Sequence, residues 1–261
     1  MSSVDHPIAF PPTLAQQRQR HLPAVTAFDW LGAGWRDLKM QPGPSLAYGT
    51  AVFAISGAVI WSLFALGIDY ILFPALAGFM VVGPLLAIGL YQKSRDVEAG
   101  DTVSLRRMVL VKAQSGAQVG FTGAILCLLM MAWMRAAVII YALFFGLRPF
   151  PGLDHVTAML FNTPIGWAML VVGTMVGGLF AAFSFAISIF SVPMLLDRDT
   201  DAFTAMGTSI SLVWNNLPVM LMWGAIVLGL FLLSVLTGLI GLVVVFPLLG
   251  HATWHCYKAI G

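Results

Sequence analysis

Six stretches of the 261-residue chain are each apolar over about 20 residues or more, the length needed to cross roughly 30 Å of hydrocarbon. They come in pairs, and the second member of each pair carries a proline near one end: Pro84, Pro193 and Pro247. The spans read as 46–66, 71–91, 119–146, 165–196, 217–236 and 238–257. Only 9% of the residues are charged, 59% are hydrophobic, and the mean hydropathy is +0.91. A water-soluble domain carries about 25% charged residues, so the solvent for most of this chain is lipid. The expected fold class is therefore all-α, a polytopic membrane protein.

The pairing implies a repeat. Each pair forms a helical hairpin, and a segment with one apolar face precedes it. Phe28, Leu31, Trp35 and Leu38 recur at helical offsets before the first span. Phe203, Met206, Ile210 and Val213 recur at the same offsets before the fifth. The corresponding segment before the third span (Leu105, Met108, Val109) is interrupted by Lys112. Thr26 with Asp29 reads as a capping box that opens the first of these helices. Six transmembrane helices are expected as three repeated hairpins, each with an amphipathic interfacial helix ahead of it. The units run about 24–96, 97–198 and 199–261 within a single transmembrane domain, and residues 1–23 read as a flexible cytoplasmic tail.

Charge sets the orientation. Eleven of the thirteen Lys/Arg fall on one side of this scheme, all except Arg135 and Arg148. By the positive-inside rule both termini are expected in the cytoplasm. Residues 1–40 contain no apolar signal core, so the first span is expected to direct insertion. The net charge of +2 does not point to nucleic acid. The expected partners are the lipid bilayer and other integral membrane proteins.

Few residues suggest chemistry. There is no P-loop, nucleophile elbow, HExxH or CxxC, so no enzyme is expected. Gly173, Gly177, Ala181, Ser184, Ser188 and Ser191 follow at spacings of three or four on the fourth span. They form a small-residue face for close helix packing, and their hydroxyls can bond back to backbone carbonyls. The alternative is a polar substrate path. Arg135 lies seventeen residues beyond Gln118, about 25 Å along a helix, which places it near the outer interface. Asp69 and Asp154 fall on that side as pairing partners. His251 and His255 stand four apart on one face of the last span, the spacing of a metal- or haem-binding pair. No carboxylate or His in the other spans completes a ligand set, so interface anchoring is the better account and no cofactor is expected.

The chain resembles a bacterial family of predicted multi-pass inner-membrane proteins of unknown function. The resemblance rests on Trp35-Arg36-Asp37-Leu38, Gly83-Pro84-Leu85-Leu86, Trp133-Met134-Arg135-Ala136, the run from Pro193 to Asp199 and the run from Pro247 to His255. It covers most of the chain after Phe28. Members are sometimes labelled as similar to cytochrome c oxidase subunit I, but such a subunit needs about a dozen spans and several intramembrane His ligands. The resemblance implies the inner membrane and association with a larger, respiratory or other energy-transducing, complex. The function expected is that of a non-catalytic accessory subunit or assembly factor. A small transporter or channel and a haem-binding redox protein are the alternatives.

Overall fold

The computed structural model describes Thr13, residues 18–146 and residues 152–261, with Leu153, Asp154 and Thr157 described by backbone alone. The described residues are helical throughout, without a strand. In chain order the helices are α1 (Thr26–Lys39), α2 (Pro42–Ala65), a short 3-10 turn (Asp69–Ile71), α3 (Leu72–Leu86), α4 (Ile88–Ala99), α5 (Leu105–Val109), α6 (Gly116–Phe145), α7 (Leu153–Phe161), α8 (Pro164–Ser188), α9 (Ser191–Asp197), α10 (Ala202–Asn215), α11 (Leu217–Leu236) and α12 (Leu242–Ile260).

Among the described residues five stretches are long and apolar enough to cross a bilayer, where six were expected. They are Pro42–Ala65, Asp69–Ala99, Gly116–Phe145, Pro164–Asp197 and Leu217–Leu236. The difference lies in α12. Beyond Pro247 this helix carries His251, Thr253, His255 and Lys258, and most of its residues from Gly250 to Tyr257 are buried against protein. Its second half is thus a core helix rather than a lipid-facing one.

A proline in a helix removes one backbone donor and crowds the carbonyl four residues earlier. Two of the three prolines lie beside a break. α3 gives way to α4 at Ala87, three residues after Pro84, and α8 gives way to α9 at Ile189 and Phe190, just before Pro193. α12 continues through Pro247.

The helices that follow the turns pack on segments remote in sequence. α3 lies on α6 and α8, α8 on α6 and α10, and α12 on α1, α2 and α4. The last helix therefore closes onto the first part of the chain. The densest core sits at one end of the molecule, here called the base, built from α1, α4, α9, α10, the first turns of α11 and the second half of α12. Trp30, Leu90, Tyr91, Phe190, Trp223 and Trp254 are buried there. Polar contacts tie the base together. Arg95 donates to the Leu196 carbonyl at 2.6 Å, Tyr257 to Asp197 at 2.9 Å, and Arg107 pairs with Asp96 at 2.7 Å.

Each of the two amphipathic helices buries one face against the protein and leaves large apolar side chains outward. The face of α1 turned to the protein carries Ala27, Trp30, Ala33, Gly34, Asp37 and Leu38. Phe28 is 54% exposed and Trp35 also points outward. In α10 the buried face includes Ala202, Ala205, Met206, Ser209 and Leu212, while Phe203 is 69% exposed. Small side chains let these helices sit close against their neighbours, and several of the large apolar ones project outward. The capping box at Thr26 does not form. Val25 is the N-cap, without a side-chain bond, because the turn that begins at Pro23 already has helical dihedrals. Part of the expected N-terminal tail is held in place: the Arg20 amide donates to Asn216 Oδ1 at 2.9 Å, and its Nε to the Ile260 carbonyl at 3.1 Å. Residues 1–12 and 14–17 lie outside the described residues.

Candidate functional site

Where α12 closes onto α1, α2 and α4, a line of polar side chains crosses the base. Lys93 Nζ donates to Ser45 Oγ at 2.8 Å and to the Gln41 carbonyl at 3.0 Å. Ser45 Oγ meets His251 Nε2 at 2.9 Å, and His251 Nδ1 meets Ser94 Oγ at 2.9 Å. The Ser94 hydroxyl donates to Asp37 Oδ2 at 2.6 Å, and His255 Nε2 lies 2.9 Å from the same oxygen. Lys93, Ser45, Ser94 and His251 are essentially sealed from the exterior. The Asp37 side chain is 8% exposed and that of His255 is 32% exposed, so the line reaches the surface at His255.

The two ends fix the direction of every bond between them. An ammonium only donates and a carboxylate only accepts. Ser45, already accepting from Lys93, gives its proton to His251 Nε2. His251 is then the Nδ1–H tautomer and donates to Ser94, and Ser94 donates to Asp37. The relay is a continuous hydrogen-bonded chain from a buried cation to a buried anion through two hydroxyls and one imidazole. Burial opposes the charge on Asp37, but the hydrogen bonds from His255 and Ser94 outweigh it and hold the carboxyl below its ordinary value.

Such a chain can do two things. It can pass a proton along its length, since each interior member both accepts and donates. It also fixes how α12 docks, because any shift of register would strand several buried polar groups. Ser45 and His251 have the separation of a nucleophile and its base, but both are fully enclosed, so no substrate atom reaches Ser45.

Of the residues singled out from sequence, the structure brings His251 and His255 into this relay. A metal or haem iron would need a ring nitrogen of His251 that already holds a serine. Among the described residues no group of three His, Cys, Asp or Glu is placed to hold a metal ion. The small-residue stripe of α8 divides. A side chain at Gly177 would strike the Trp133 ring, whereas Gly173 has open space beside it. Ala181 borders a central cavity. Ser184, Ser188 and Ser191 are buried, and each hydroxyl donates to a carbonyl in its own chain: Phe180 at 2.6 Å, Ser184 at 2.6 Å and Ile187 at 2.5 Å. Arg135 is exposed on α6, and Asp69 is half-buried at the turn before α3. Neither forms an ion pair among the described residues. The side chain of Asp154 lies outside the described residues.

Asp37, Ser45, Lys93 and Ser94 were not legible as site residues. Lys93 read only as a topology-setting charge, and Asp37 only as part of the Trp35-Arg36-Asp37-Leu38 run that carries the resemblance. One signal was present. Asp37 is a carboxylate on a helix face otherwise made largely of small and aromatic residues, where a solvated charge has no place.

Long apolar helices, a polar base and no described strand define an integral membrane protein with several crossings. Residues 72–197, just under half of the chain, match the family described as "Predicted integral membrane protein (DUF2189)", a family of unknown function. No curated protein and no solved structure matches the chain.

Proposed function

We propose that this is a non-catalytic protein of the bacterial inner membrane that packs against a larger complex as an accessory subunit or assembly factor. In this reading the chain forms three hairpins and crosses six times, with α12 as the sixth crossing and both termini in the cytoplasm beside the base. The asymmetry between base and spans carries the reading. Four of the five long apolar stretches leave most of their surface open, whereas the base is closed and many of its polar groups are spent on one another. A protein with this distribution offers its outward-facing wall and spends the buried polar groups of its base on packing. Eleven of the thirteen Lys/Arg on the base side support the orientation.

A transporter would need a wet passage at mid-membrane. The central cavity, about 120 Å³, is instead bordered by Phe79, Phe185, Phe231 and Phe246. With both nitrogens of His251 engaged, we further propose that no haem or metal is bound at His251 and His255. Mild extraction followed by native mass measurement tests the assembly. A particle larger than the monomer, containing the same other polypeptides in each preparation, is expected, and a lone monomer throughout would sink the reading. An absorbance spectrum of the same sample, featureless in the visible range, checks the cofactor statement.

A further inference from the structure

A second apolar space, about 400 Å³, lies between α2 and α3 and is bordered on its far side by Met130 and Met134 of α6. Of all its lining side chains only Ser56 is polar. The space shares Phe79, Phe231 and Leu242 with the central cavity, so these side chains stand between the two. Phe79 stands at the junction, stacked on Phe231 at 5.6 Å and tilted against Phe246 at 5.8 Å. The groove is thus open outward past Ile55 and Val59 and ends inward on the Phe79–Phe231 pair.

The end of this groove away from the base is formed by Leu63, Ile71 and Leu72. Leu63 is twenty-one residues into α2, about 31 Å from Pro42. Arg135 directly follows the groove residue Met134 and lies about 25 Å beyond Gln118. The Trp133 indole N–H donates to the Pro74 carbonyl at 3.0 Å, so Arg135, two residues on, sits beside the Ile71–Leu72 end of the groove, on the side away from the base. Arg135 is exposed there without an ion pair among the described residues, and Asp69 on the same side does not pair with it.

We propose that the α2–α3 groove binds one phospholipid of the leaflet opposite the base, its phosphate held by Arg135 and one acyl chain laid along the groove with its tip at Phe79. The shape selects the occupant. A partner helix is about 10 Å across and is a poor fit to a groove of about 400 Å³ that ends on a phenylalanine pair. A flexible polymethylene chain can, and Met130 and Met134 adapt to it. The charge selects the head. A guanidinium forks onto a phosphate, and a phosphate is what a lipid presents at that depth. The proposal rests only on the spans lying in a bilayer and not on any partner complex, so a monomeric protein leaves it intact.

The test is native mass spectrometry of delipidated protein incubated with dioleoyl phosphatidylglycerol or with dioleoylglycerol, which has the same chains and no phosphate. Wild type is expected to retain one phosphatidylglycerol, with about tenfold preference over the uncharged lipid. Arg135→Gln removes the preference. Ala75→Trp, which fills the groove, loses both lipids, and Leu128→Trp, on an outward face of α6, loses neither. Equal retention of the two lipids by wild type overturns the head-group assignment, and full retention by Ala75→Trp overturns the groove. A measurement without any variant uses phosphatidylglycerol carrying a photoreactive group at the chain tip. Adducts are expected at Phe79, Met130 or Phe231, and adducts confined to other helix faces overturn the proposal, as does a polypeptide found seated in the groove in place of lipid.

Discussion

At Asp37 burial and hydrogen bonding compete, and hydrogen bonding prevails. Because the folded carboxyl titrates below its unfolded value, the stabilisation it supplies is present above about pH 4 and fades as acid carries the pH through the folded value. The α1–α12 seam of wild type is therefore expected to loosen in strong acid, read as a change in the fluorescence of buried Trp30 and Trp254. Asp37→Asn keeps the shape but not the charge. It should lower stability at neutral pH by about 1–3 kcal/mol and flatten the acid limb of the curve. Lys93 makes a sharper test. It does not touch Asp37, yet the relay joins them through three intervening side chains. Lys93→Met and Asp37→Asn together should cost less than the sum of the two alone, with a coupling of about 0.5–3 kcal/mol in a double-mutant cycle of thermal unfolding. Strict additivity would mean that the side chains do not act as one chain.

At the scale of the element, close approach decides what the last helix can do. A side chain at Gly34 would lie 2.6 Å from the Ala252 amide nitrogen, and one at Gly49 would run into the Val243 carbonyl. α12 can lie against α1 and α2 only because these positions have no Cβ. Gly34→Val is expected to cost about 1–3 kcal/mol by forcing the helices apart. Gly32, on the same helix, has open space around it, so Gly32→Ala should gain about 0.5–1 kcal/mol from helix propensity alone. Thermal unfolding of the two variants in one detergent separates packing from propensity. The same distinction separates the apolar stripe of α1 from the face that α1 buries in protein. Phe28 and Trp35 mark a face that prefers hydrocarbon, and lipid satisfies that preference as well as protein does. What seats the helix is the run of small residues beside it, which hydropathy does not rank highly.

For the molecule as a whole, the open spans and the closed base make a testable contrast. Amide exchange in detergent should be slowest in α1, α4 and the second half of α12, where burial is densest, and faster along α2, whose residues are mostly uncovered. Uniform protection along α2 in the purified protein would indicate a partner already in place.

Lipid as the solvent, the helical class and the approximate crossings followed from the sequence alone, because apolar run length and charge distribution are properties of the chain that no neighbour can alter. The two histidines were visible as a pair, since four residues make one helical turn. Their partners were not. Asp37, Ser45 and Ser94 come from three other helices, and only the closing of α12 onto the start of the chain brings them within hydrogen-bonding distance. The fate of the sixth apolar stretch was likewise decided by tertiary structure. A helix of borderline polarity goes to lipid or to protein according to what is offered to it, and here the glycines of α1 and α2 offered protein.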